Sequence, residues 1–164
     1  MANYVSTEME IIPQGITETS TTQNFPLGKI IQAVDKDTTA YGAGEFIYLK
    51  GVASTAIGEP VIYDLDAGTT TRAVAGSRGN IAFAMSANVA NQYGWYQIAG
   101  TCVAKTGTVV SGSLPYLTAT AGTLDDAVVS GDKIDNAKFI TANGTPSAGF
   151  ALVQANRPSA NGNG

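Results

Sequence analysis

The chain has 164 residues, a length that suits one domain or two small similar halves sharing a core. Only 13% of the residues are charged, the net charge is −4, and no Lys/Arg cluster exists, which argues against a phosphate-tracking groove for nucleic acid. With no histidine and a single cysteine, Cys102, the chain has no Ser-His-Asp or Cys-His pair and no internal disulfide.

Residues 1–27 are polar and threonine-rich and read as an extended N-terminal arm. Met9, Ile11, Ile12 and Phe25 are apolar residues that a solvated tail would not need, so they are candidates for contact with a partner or a sister subunit. The arm has no basic stretch leading into an apolar run, so no secretory signal is expected, and no run is long enough to cross a membrane as a helix. A β-rich body follows over 28–156. Runs rich in Val, Ile, Tyr, Phe and Thr, punctuated by Gly and Pro, predict strands at 29–35, 45–54, 60–65, 70–75, 80–88, 94–106, 114–119, 123–129, 138–142 and 149–156. One short helix, near 132–137 or 32–39, is the alternative that the spacing allows. Residues 157–164, "RPSANGNG", read as a disordered tail.

The body carries an internal repeat, about 41–88 and 93–156. "AGTTTRAV" (67–74) returns as "AGTLDDAV" (121–128), "GEPVIYD" (58–64) as "GSLPYLT" (112–118), 41–55 lies against 93–106, and "IAFAMSAN" (81–88) against "GFALVQAN" (149–156). Two such units cannot each bury a core alone. The expected fold is therefore all-β, a β-sandwich or partly closed barrel from two duplicated β units.

Alternation along 94–106 puts Tyr96, Ile98, Gly100, Cys102 and Ala104 on the core face. Trp95 leans outward, as do Phe46 and Tyr48 on the strand aligned with it. Those three aromatics are candidates for a covering loop, a protein interface or a ligand platform.

Catalytic chemistry is poorly supported, and no enzyme is expected. The Gly-rich "YGAGEF" leads into a strand rather than a helix, so it is no phosphate loop. The pairs Asp35/Asp37, Asp64/Asp66 and Asp125/Asp126 read as solvated turn residues rather than as a calcium loop. No cofactor or metal is expected.

Three stretches, Gly58–Asp64, Gly79–Met85 and Gln92–Gly100, resemble the β-rich decoration or cement proteins of tailed bacteriophage heads. The resemblance spans roughly residues 28–105. It implies a non-enzymatic virion protein, made in the host cytoplasm, that sits on the outer capsid surface. Its partners would be the major capsid protein and copies of itself, as a homotrimer, with no nucleic acid and no membrane. The alternative is a head fibre or adhesin module that binds host surface glycans, marked by an exposed Trp95 beside polar groups.

Overall fold

The computed structural model describes residues 2–7, 13–38 and 40–162. Among them there is no helix, and the strands are β1 (Tyr4–Ser6), β2 (Ile30–Asp35), β3 (Ala43–Lys50), β4 (Pro60–Asp64), β5 (Thr69–Arg72), β6 (Arg78–Ala84), β7 (Tyr93–Lys105), β8 (Tyr116–Leu117), β9 (Leu124–Asp125), β10 (Ile134–Phe139) and β11 (Phe150–Asn161). The fold is all-β, as its composition predicts. Residues 32–35 and 134–137 of the two segments open to a short helix belong to β2 and β10 instead.

Strand pairing closes two small rings. In the first, β3 pairs in parallel with β5, β5 with β4, β4 with β6, β6 with β7, and β7 returns to β3. Its inward side chains are Ile47, Leu49, Val61, Tyr63, Ala82, Ala84, Tyr96 and Ile98, all buried. In the second, Thr106, just past β7, bridges in parallel to Leu124 of β9, β9 pairs with β8, Tyr116 of β8 bridges to Lys133, just before β10, and β10 and β11 lead back to β7. Cys102, Ala104, Leu117, Leu124, Ile134, Phe139 and Val153 belong to its core. The architecture is thus a pair of partly closed five-stranded barrels that share β7.

The shared strand must serve both cores with one face. Tyr96 and Ile98 fill the first barrel, and Cys102 and Ala104 the second. Gly100 lies between them at φ +104°, and a Cβ there would sit 2.6 Å from the Ala43 carbonyl oxygen, so only glycine fits the crossing. The Tyr96 hydroxyl, enclosed in the first barrel, donates to Asn88 at 3.0 Å once the Asn88 amide is oriented to satisfy both its ends. Burial still pushes the phenol up to about 12.

The ladders of the two halves run alike in part. Ile62↔Thr71 and Tyr63↔Thr70 in the first unit recur as Tyr116↔Asp125 and Leu117↔Leu124 in the second. These positions match the aligned blocks 58–64/112–118 and 67–74/121–128. The parallel contact Lys50↔Thr69 recurs as Thr106↔Leu124, displaced by one residue. The other two blocks differ from the sequence alignment. The counterpart of β6 is β10, because each pairs with the fourth strand's equivalent, β4 or β8. β11 instead repeats the role of β3 and β7. Likewise β3 corresponds to the C-terminal half of β7, so Phe46 and Trp95 are not equivalent positions. Tyr48 and Trp95 are cross-strand partners, with Phe46 opposite Gln97.

Both termini differ from expectation. The described parts of 1–27 do not project as a free arm but lie on the body, with β1 pairing along the outer edge of β2. At the other end Arg157–Asn161 is not a disordered tail. β11 continues through it, and Ser159–Asn161 pair with Asn80–Arg78. Pro158 is accommodated because the ladder to β10 shifts there, between Asp135 and Ala137, with Asn136 and Arg157 at positive φ.

Candidate functional site

Two surfaces compete for a functional reading: the outward aromatic face of β3 and β7, and the loops at the free end of the second barrel. On the first, Phe46, Tyr48 and Trp95 are all 0% exposed. Their cover is the segment 13–27. Ser20 exchanges backbone hydrogen bonds with Tyr93, at 3.0 and 2.8 Å, which lays the segment across the end of β7. Phe25 then inserts its ring 5.2 Å from Tyr48 and 5.1 Å from Trp95, and Tyr48 and Trp95 meet edge-on at 5.1 Å. Tyr4, on β1, packs its ring 4.7 Å from Phe46. These rings, with Ile16, Ile31, Ala33 and Tyr41, form a third core outside both barrels.

Gln14 makes that cover specific. Its side-chain oxygen accepts from the Tyr48 hydroxyl at 2.7 Å and from the Asn24 amide at 3.0 Å. Its amide nitrogen donates to the carbonyls of Glu18 and Tyr93, each at 2.9 Å. Its backbone carbonyl accepts the Trp95 indole N–H at 3.2 Å. One buried glutamine thus satisfies the polar ends of two enclosed aromatics, which leaving unpaired would be costly. Gln14→Ala is expected to lower stability by about 1–3 kcal/mol, because the Tyr48 hydroxyl loses its acceptor. Tyr48→Phe in the same background is expected to recover part of the loss. A thermal unfolding cycle checks both, and an unchanged midpoint for Gln14→Ala would refute the assignment.

The sequence candidates therefore separate. Phe25, Phe46, Tyr48 and Trp95 come together, but inside the chain rather than on an outer surface. Met9, Ile11 and Ile12 lie outside the described residues. A sugar platform at Trp95 has no room, since its indole is enclosed on every side by the chain itself. Gln14 was missed, and its only sequence signal is a polar residue in a segment with no period.

The remaining chemical candidates resolve as local structure. Cys102 is buried in the second barrel, and desolvation raises its thiol well above the ordinary range. Asp35 is a buried turn residue rather than a solvated one. It accepts from the Asn3 and Asp37 N–H groups and from the Thr38 hydroxyl, and that hydroxyl, the first of several such bonds, holds the carboxyl below its ordinary value. Asp64 accepts from the N–H groups of Asp66 and Ala67, and Asp125 from that of Ala127. Among the described residues, no group of three His, Cys, Asp or Glu side chains is placed to hold a metal ion.

The second surface is bare. Loop 107–114 connects β7 to β8, and loop 126–132 connects β9 to β10. Val110, Leu114, Val128, Val129 and Ile140 project from these loops and from the end of β10, and Val128 is 82% exposed. Hydrogen bonds knit the loops together: Val110 N–H to Asp126 at 2.8 Å, the Ser111 hydroxyl to the Ile140 carbonyl at 3.0 Å, and Phe139 N–H to the Ser113 carbonyl at 3.0 Å. Val109, buried beside Val110, anchors the first loop to the core. Sequence reasoning missed this surface because it assigned "TLDDAVV" to a strand, whereas β9 ends at Asp125.

No protein-family model and no curated protein matches this chain.

Proposed function

We propose that the chain is a structural virion protein that binds the outside of a tailed-phage capsid and stabilises it by clamping neighbouring capsomers. Its partner on this reading is the major capsid protein, and it acts as a trimer on the capsid surface without enzymatic turnover. The observation that carries the reading is the placement of the three stretches that resemble phage decoration proteins. Gly58–Asp64, Gly79–Met85 and Gln92–Gly100 contain β4, β6 and the first half of β7, which are successive neighbours in the wall of the first barrel. The resemblance therefore covers a packed unit, not scattered runs of small residues. The bare aliphatic loops of the second barrel support it as well, because large exposed apolar patches mark interaction sites. The glycan-binding alternative required an exposed Trp95 and loses that residue to the third core.

A clamp that binds only the assembled shell stabilises it by mass action, by about 2.7 kcal/mol per site at a hundredfold excess over Kd. The full chain, mixed with expanded shells of the phage that encodes it, is expected to co-sediment with them and to raise the temperature at which they open. A chain that stays in the supernatant, with shells opening at the same temperature, would overturn the reading.

A further inference from the structure

We infer that the loop end of the second barrel, 107–114 with 126–132 and Ile140, is the surface that meets the shell, and that it docks on a patch of capsid protein with an aliphatic centre and a basic rim. The inference rests on the decoration reading for the identity of the partner, while the surface and its chemistry come from the fold.

Among the described residues, the three apolar cores are covered by the chain itself. Segment 13–27 encloses the outward face of β3 and β7, and the two barrel interiors are filled. Against that background, five of the nine strongly exposed large apolar side chains among the described residues fall on this one end. Val110 at 63% and Val128 at 82% are more open than any other large apolar side chain described. The loops are not loose. Each is pinned by backbone and carboxylate hydrogen bonds, so their aliphatic tips are held in place before any partner arrives, which lowers the entropy lost on docking.

Acidic groups stand beside the tips, Asp125 and Asp126 half-exposed and Asp132 buried. Asp126 caps the Val110 N–H, Asp125 begins the turn, and Asp132 closes it by accepting the Gly76 N–H at 2.6 Å. Neither loop contains a lysine or arginine. Lys133, the nearest cation in sequence, already pairs with Asp135 at 2.8 Å. Asp125 feels its neighbours: burial first, and then the charges of Asp126 and Asp132, push its carboxyl up from its ordinary value. Two half-exposed carboxylates beside an aliphatic cluster are complementary to an aliphatic patch with a basic edge. They are a poor match for themselves. A twofold contact between two copies would set Asp125 and Asp126 against their own equivalents. The charge therefore favours a basic partner, and on the decoration reading the occupant is the shell.

The test uses the full chain, the triple variant V110S/V128S/V129S and the double variant D125N/D126N, each matched to the parent by thermal midpoint. The three valines are exposed, so folding is expected to survive their replacement. On expanded shells, the triple variant is expected to bind at least about tenfold more weakly. The double variant is expected to associate more slowly and with less sensitivity to salt than the parent. If the parent co-sediments and both variants bind as it does, the inference is overturned while the decoration reading stands. Concentration-dependent self-association of the parent, abolished in V110S/V128S/V129S, would assign the surface to a second copy and overturn it too. A parent that never binds shells brings down the reading and the inference together.

Discussion

Removal of residues 1–27 is expected to collapse the chain's stability rather than to leave a trimmed, soluble body. Read from sequence as a free arm, the segment looks dispensable to folding. In the structure it supplies Tyr4, Gln14, Ile16 and Phe25 to the third core and covers Ile31, Phe46, Tyr48 and Trp95. Buried aromatic side chains enclose roughly 150–250 Å² each, so uncovering Phe46, Tyr48 and Trp95 bares an apolar face of about 500 Å². The Tyr48 hydroxyl and the Trp95 N–H also lose their partners on Gln14. Cutting the segment does release the conformational entropy spent in ordering it, which offsets part of the loss. The described parts of the segment nevertheless pack on the body, and deletion forfeits those contacts. The truncated chain is expected to melt at a lower temperature, to bind a hydrophobic dye, and to associate as its concentration rises. A peptide spanning 13–27, added in trans, is expected to reverse all three in part, since Tyr4 and β1 stay missing. A monodisperse truncated chain with an unchanged midpoint would contradict the role assigned to the segment.

Strand positions and facing were legible in the sequence because they depend on neighbours two residues apart. Alternation placed Tyr96, Ile98, Cys102 and Ala104 inward, and each is fully buried. What joins distant parts of the chain was not legible. The Trp95 indole finds its acceptor at Gln14, 81 residues away, and nothing local to "QYGWYQIAG" announces that partner. The same strand fills one barrel with its first half and another with its second, and the small residues that allow this, Gly100 and Cys102 among them, carry no period of their own. The internal repeat shows the limit most clearly. The aligned turn blocks share backbone geometry, since Gly58 and Gly112, like Gly68 and Gly122, hold positive φ. Blocks of alternating Ala, Thr and Val aligned in the wrong register, because small β residues match one another at many offsets. There the hydrogen-bonded ladder, and not side-chain identity, decides equivalence. The bare loops were hidden for a related reason: "DDAVV" has strand composition, but Asp125 and Asp126 turn their carboxylates back onto loop N–H groups and end the ladder.

Glu59→Ala is expected to cost roughly 3 kcal/mol and to flatten the acid limb of the stability curve. Glu59 sits just before β4 with its side chain 1% exposed, at the seam where the barrels meet. One carboxylate oxygen accepts from Arg72 Nε at 2.7 Å, and the other from Arg72 Nη2 at 2.8 Å and from Lys105 Nζ at 2.9 Å. Arg72 belongs to the first unit, and Lys105 ends the shared strand. The same Arg72 nitrogen also donates to the Ala121 carbonyl at 2.9 Å, in the second unit. Gly122 completes the seam: at φ +74°, a Cβ would lie 2.6 Å from the Glu59 carboxyl carbon, so the backbone of the second unit closes directly over the acid. Burial alone would raise the Glu59 carboxyl, but the hydrogen bonds from Arg72 and Lys105 outweigh it and hold the group below its ordinary value. The sign follows from that direction. A carboxyl depressed in the folded state contributes stability that is fully present above its unfolded value, near 4.5, and is lost as pH falls through the folded value. Arg72 and Lys105 keep partial access to water, so removing their acid leaves them solvated and places the cost at the low end for a broken buried pair. Denaturant unfolding of parent and Glu59→Ala at pH 7 and at progressively lower pH is expected to show curves that converge as the acid in the parent becomes protonated. A gap that stays constant down to acid pH would mean that Glu59 acts by packing alone, and that the seam between the two barrels does not depend on its charge.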